Sequence, residues 1–467
     1  MSDHNDSFLE KRATYPLVFA VACLVYAAAQ FWIRPGFYTE FKLLDSDDAM
    51  RLLSVRDLIA GQGWFDTTQY RAVPPEGVSL HWSRFVDAPI AAIILTLSPI
   101  LGMVQAEVIA VALWPAILFV GFLAVTGWAA RSAFGNAAAC LAVIAVAFLP
   151  MYGANYFSVG RIDHHNVQFL CMVSVFASIM ARDAPLRSGV LAGVVAAFSL
   201  AVGLEAIVFL AMAGMVLTLR YVQGLPQATI QLLGYGGALG IAAPLFSAAQ
   251  NGPSQWGLVY CDQLSFPFLI VTTWALGFSG VAWLLRNRVT TPMARIFVVL
   301  GTVGVLVMAV MALPELRHCL SGPFADVPDA VKVDIIGRIS ESLSAVQLIQ
   351  DTPRAALTIL LPTALVTVLV GLIWVFDGTN RRNWGELFAF LALGVLGGLW
   401  QSRAMVWGNA VLPIGFGAVF AYLIQSNWMP AGRARRIVMF VLLVLVVFPQ
   451  SLLLFAGGSP NKKGLQL

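Results

Sequence analysis

The chain has 467 residues, 59% of them hydrophobic and only 11% charged, with a formal net charge of +4 and a mean hydropathy of +0.81. That bias excludes a soluble globule, and the continuous apolar runs exclude a closed β-barrel, whose strands alternate apolar and polar residues. The small positive charge, scattered singly or in twos and threes, excludes nucleic acid as a partner and reads as topology anchors, so the sequence predicts an all-α polytopic membrane protein.

The polar start MSDHNDSFLEKRATYP precedes an apolar run over 17–32 that ends in Ile33-Arg34-Pro35 with no small-residue cleavage site. It reads as an uncleaved signal-anchor and the first spanning helix. A long loop, 36–106, follows, with Asp45, Asp47 and Asp48 ahead of an amphipathic stretch over 49–59. Together with Asp57 these carboxylates repel one another unless they are solvated or share a cation; the plain alternative is a surface helix with Asp45 or Asp47 as its N-cap. The run 88–103 carries Pro89 and Pro99 and is expected to be juxtamembrane or re-entrant.

Spanning runs then follow at 107–130, 135–152, 166–181, 187–203, 205–222, 228–249, 265–285, 294–313, 355–376, 386–401, 405–425 and 436–457, which with the first makes thirteen. Starting from Lys11 and Arg12 inside, thirteen crossings put Arg131, Arg182 and Arg187, Arg220, Arg286, Arg288 and Arg295, Arg381 and Arg382, and Arg433, Arg435 and Arg436 on the cytoplasmic side, as the positive-inside rule requires. The segments 36–106, 153–165, 250–264 and 314–354 then face out, residues 1–457 form one transmembrane domain, and 458–467 is a short external tail.

Asp163-His164-His165 falls in the external segment 153–165. Asp163 and His165, two apart on an extended segment, face the same side and suit a divalent cation; the alternative is an N-cap with two solvated histidines. Glu205 interrupts two apolar runs, as either an outer turn residue or a polar group facing a cavity. Cys261 and Cys319 both lie in polar external loops, where they are either a disulfide or two free thiols. Glu341 sits within 333–348, expected as an amphipathic surface helix. Arg403, between Trp400 and Trp407 at the outer boundary, is either a snorkelling anchor or a guanidinium for a phosphate at headgroup depth.

These stations resemble, in order and side, the membrane half of the oligosaccharyltransferase catalytic subunit, a GT-C-type glycosyltransferase with about 13 transmembrane helices and long external loops. Asp45 through Arg51 is similar to that family's first-loop aspartate six residues before an arginine, and GWFDTTQYRAVPPEGV (63–78) to the segment downstream. SVGRIDHH, with Asp163 and His165, corresponds to its Asp-x-Asp or Asp-x-Glu motif, with His165 in place of the second carboxylate. RISE, ending at Glu341, corresponds to its Ser-x-Ser-Glu motif, and Arg403 to the arginine for the donor pyrophosphate.

The resemblance implies a metal-dependent, inverting transfer of a sugar or oligosaccharide from a polyprenyl-phosphate-type lipid donor on the outer face of a membrane, expected to be a bacterial inner membrane facing the periplasm. It implies Mn²⁺ or Mg²⁺ held by Asp45, Asp163, His165 and Glu341, with Asp45, Asp163 and Glu341 catalytic and Arg403 on the donor phosphate. Besides donor and membrane lipids, an acceptor glycan, lipid or protein is a partner. No Trp-Trp-Asp-Tyr-Gly motif occurs in the sequence, which favours a lipid or glycan acceptor over a protein. The competing class is a cation-coupled transporter or lipid flippase, which calls for midplane charges and broken helices in paired halves.

Overall fold

A computed structural model of the chain describes residues 8–11, 13–325, 327–328, 331–332, 342–426 and 432–449. Each apolar run carries a helix, since a backbone group in lipid finds partners only within its own helix. In chain order these are α1 (Thr14–Ile33), α2 (Pro35–Glu40), α3 (Ser46–Ile59), α4 (Arg84–Leu101), α5 (Met103–Phe134), α6 (Asn136–Phe148), α7 (His165–Met180), α8 (Pro185–Val202), α9 (Ile207–Val222) and α10 (Ala228–Gln250). They continue with α11 (Phe266–Leu284), α12 (Pro292–Ala312), α13 (Pro314–His318), α14 (Ala345–Asp351), α15 (Pro353–Phe376), α16 (Arg381–Trp400), α17 (Met405–Asn409), α18 (Leu412–Gln425) and α19 (Arg433–Val447). A two-stranded antiparallel hairpin, β1 (Thr68–Gln69) with β2 (Val78–Ser79), lies between α3 and α4.

Among the described residues, nine helices are long and apolar enough to cross a membrane, or ten if Ser402–Asn409 and Leu412–Gln425, bent by 53°, form one span. Four of the thirteen expected runs fall on shorter apolar helices: α6, α7, α9 and Arg436–Val447. The expected short helix over 88–103 is longer than read. Ser83 caps α4, its side chain accepting from the Phe85 amide at 3.2 Å, so the helix starts at Arg84. It is one of the nine helices long and apolar enough to cross a membrane, where the sequence reading had it juxtamembrane or re-entrant. Near its start Asp87 accepts from Arg51 at 3.0 Å, and just past its end Glu107 pairs with Arg56 at 2.6 Å.

Small residues let the helices close on one another. On α8, a Cβ at Gly189 or Gly193 would lie 2.3 Å from the Gln231 carbonyl oxygen or 2.4 Å from that of Tyr235, both on α10. One end of the bundle gathers arginines: Glu386 accepts from Arg182 at 2.9 Å, Arg220 at 2.7 Å and Arg382 at 3.0 Å. The 16 residues of α7 lead from there to His165, about 24 Å away at 1.5 Å per residue. At that far end Asp45, Asp48 and Asp163 collect around Arg161. Beside them, Cys261 and Cys319 are joined in a disulfide, which ties the connection after α10 to the end of α13.

Candidate active site

The site is assembled from four chain segments that only the fold brings together. Asp45 is the N-cap of α3: its backbone is extended, and its Oδ1 accepts from the amides of Asp47 at 3.0 Å and Asp48 at 3.1 Å. The bland reading of Asp45 is therefore correct, and it leaves Oδ2 free to pair with Arg161. Asp48, fully buried one turn on, accepts from the amides of Ile162 at 2.8 Å and Asp163 at 3.0 Å. Burial pushes the Asp48 carboxyl up to about 7, against the pull of Arg161. Asp48 thus fixes the turn that carries Asp163. We expect Asp48→Ala to strand both amides, at about 1–3 kcal/mol each, while Asp48→Asn keeps an acceptor and most of the stability; thermal unfolding of the purified variants checks this.

Asp163 is the hub. Its Oδ1 accepts from His164 Nδ1 at 2.6 Å and lies 3.7 Å from Arg51; its Oδ2 lies 3.7 Å from Arg161 and 2.8 Å from His165 Nδ1. Burial opposes the ionised form, but the two histidines outweigh it and hold the carboxyl well below the usual carboxylate range. His164 also donates from Nε2 to Glu205 at 2.8 Å. Burial disfavours its charge too, yet Asp163 and Glu205 raise its pKa to about 10, so at neutral pH it is an imidazolium with both nitrogens engaged. Glu205 in turn takes Arg403 Nη2 at 3.3 Å, and Trp407 donates to the Glu205 carbonyl at 2.7 Å. Arg403 Nη2 also stands 3.4 Å from His165 Nε2.

Asp163, His164 and His165 offer ligand atoms within 4.8 Å of one another, but they are not equivalent. His164 is committed as a cation. Asp163 Oδ2 and His165 Nδ1 are buried and 2.8 Å apart, yet neither has a hydrogen-bond partner among the described residues. Two ligands bound at right angles to one ion at about 2.1 Å would stand about 3.0 Å apart. The pair fits a divalent cation.

Of the residues expected from the sequence, Asp163, His165 and Arg403 come together directly. Asp45 reaches Asp163 through the Arg161 guanidinium, and Glu341 lies outside the described residues. The residues the motif reading passed over are Arg161 and Asp48, although GRIDHHN and DSDDAMR contain both. Glu205, read as awkward in an apolar run, is the link between His164 and Arg403. Arg51, fully buried, bridges Asp87 and Asp163 and packs over Trp82, 4.6 Å from the ring centre.

The fold is similar to that of solved oligosaccharyltransferase structures. It resembles the oligosaccharyltransferase of Archaeoglobus fulgidus in its apo form, with a TM-score of 0.71 at 13% identity over 97% of this chain and 57% of that one. The archaeal oligosaccharyltransferase AglB, also from Archaeoglobus fulgidus, in complex with an inhibitory peptide and a dolichol-phosphate gives 0.66 at 13% identity over 98% and 57%. The first enzyme's complex with Zn and sulfate gives 0.57 at 14% identity over 95% and 54%. The chain thus spans a little over half the length of these neighbours. No protein-family model and no curated protein matches the sequence.

Proposed function

We propose that the chain transfers a sugar or oligosaccharide from a polyprenyl-phosphate-type lipid donor to an acceptor at the outer face of a bacterial inner membrane. The observation that carries this reading is the convergence of Asp163 Oδ2 and His165 Nδ1 beside Arg403. A carboxylate, an imidazole and a guanidinium at one end of a helical bundle suit a dication and a phosphate together. A bound Mn²⁺ or Mg²⁺ would act as Lewis acid on the leaving phosphate. The archaeal neighbours that hold a dolichol-phosphate or a sulfate with Zn support the same reading, and the Cys261–Cys319 disulfide suits an oxidising, external compartment.

The chain's own residues divide the work. Glu205 positions Arg403 for the donor phosphate. His165 offers Nδ1 to a cation only as the Nε2–H tautomer, in which Nε2 no longer accepts from Arg403. Asp45, half-exposed and paired with Arg161, is a carboxylate that can orient the acceptor; burial works against its charge, but Arg161 and the Asp48 amide together outweigh it. Displacement at the anomeric carbon from the face opposite the phosphate gives inversion, and Glu341 completes the ligand set in this proposal. An apolar groove of about 270 Å³, lined by Leu200, Ile207, Leu210, Met215, Phe268 and Trp274, begins two residues from Glu205 and suits the lipid chain.

The test is turnover of the purified protein with a labelled polyprenyl-linked sugar and a membrane extract as acceptor source. Chelation should abolish transfer and Mn²⁺ or Mg²⁺ restore it, with the added ion also raising the unfolding temperature; at a hundred times its Kd the ion stabilises by about 2.7 kcal/mol. No turnover with any metal, together with cation-coupled uptake in vesicles, would move the transporter reading to first place.

A further inference from the structure

Glu205 links His164 to Arg403 from a short turn between α8 and α9, two residues past Gly203 at the end of α8. A helix leaves its last carbonyls without partners of its own, and at this end of α8 a side chain from α7 supplies them. Gln168 Nε2 donates to the Ser199 carbonyl at 3.0 Å and to the Gly203 carbonyl at 2.8 Å. Gln168 Oε1 accepts from Ser199 Oγ at 2.6 Å, and both residues are buried. A primary amide carries two N–H donors and one acceptor oxygen, so every polar atom of the side chain is engaged.

Gln168 also belongs to the turn of α7 that carries the histidines. Its amide donates to the His164 carbonyl at 3.1 Å, which puts the two residues one helical turn apart on the same face. One side chain therefore ties the backbone that carries His164 to the backbone that carries Glu205. The turn is held from a second side by Trp407, which donates to the Glu205 carbonyl at 2.7 Å. It is also closely filled: a Cβ at Gly203 would collide with Glu205 Oε2 and stand 3.2 Å from Gln168 Nε2. The Glu205 carboxylate thus folds back over bare backbone.

We propose that Gln168 is a positioning residue of the transfer reaction. By holding the Ser199 and Gly203 carbonyls it sets Glu205 at hydrogen-bond distance from His164 and Arg403, and so aims the arginine at the donor phosphate. The effect on the donor rests on the transferase reading; the placement of Glu205 rests on the contacts alone.

Gln168→Met tests this, because it keeps the length of the side chain and removes all three hydrogen bonds. Donor KM should rise about tenfold, the lower end of what losing such an outer support costs, while acceptor KM stays within about twofold. In a double-mutant cycle, a residue that acts through Glu205 makes Glu205→Gln no worse, whereas independent losses multiply. Gly203→Ala presses on the carboxylate without removing a hydrogen-bonding group. It should give the same rise in donor KM, and it carries the test if Gln168→Met does not fold.

An experimental structure of either variant reads the placement without any turnover: Glu205 should leave hydrogen-bond distance of His164 or Arg403. If the parent protein transfers no sugar, the transferase reading fails and that structure alone decides whether Gln168 places Glu205. The proposal is overturned if Glu205 keeps both contacts in the variant. With an active parent it is equally overturned if donor KM moves less than about twofold, or if the two losses in the cycle multiply.

Discussion

Asp163→Asn is expected to fold and to lose at least 100-fold in turnover at saturating donor, acceptor and Mn²⁺. The substitution keeps the side-chain shape but removes the charge on which Arg51, Arg161, His164 and His165 converge. An amide is a poor partner for a dication, and it turns part of the site from acceptor to donor. Disturbing even the supports of metal ligands costs 10–100-fold in affinity or activity, so loss of a ligand sets a floor there. Asp163→Ala is the harsher change: it leaves several buried cations without their counter-charge, where breaking one such pair costs about 3–5 kcal/mol. Comparing unfolding temperatures of both variants separates the two effects. Turnover of Asp163→Asn within tenfold of the parent would remove the metal-centre reading.

The second large effect is expected at Arg403. Arg403→Ala should lower kcat/KM for the lipid-linked donor about 100-fold, equivalent to about 2.7 kcal/mol of transition-state binding. Arg403→Lys should recover only part of this, because an ammonium cannot hold Glu205 and a phosphate through a planar fork at once. Glu205 lies 3.3 Å from Arg403 and 2.8 Å from His164, so Glu205→Gln should reproduce a fraction of the loss with the arginine intact. Kinetics over a range of donor concentrations, at fixed acceptor, decide the matter. Parental behaviour of Arg403→Lys would exclude bidentate phosphate recognition at this position.

Several features were legible because their signals are local. SVGRIDHH carries both members of the Asp163–His165 pair, and an isolated arginine beside two tryptophans stood out against an apolar background. The two polar-loop cysteines could be named but not paired, since they are 58 residues apart and only the packing of α10 to α13 brings their Cα atoms to 5.1 Å. Asp48 and Arg161 were hidden for a different reason. Each belongs to a motif already explained by its neighbour, and nothing in the local sequence says that Asp48 would reach the amides of Ile162 and Asp163, 114 and 115 residues away.

By itself the sequence determined that this is a helical membrane protein and where most of its apolar helices fall, because hydrophobic length and the cost of burying charge are properties of short stretches. Only the tertiary structure decided which charges meet. His165 and Arg403 are 238 residues apart, and His164 and Glu205 are 41 apart. They meet where the start of α7, the turn between α8 and α9 and the turn after α16 come together. Pairing energy falls off within a few ångströms, while the packing that sets those distances is summed over the whole bundle. That is why Arg161, and not a direct contact, joins Asp45 to Asp163.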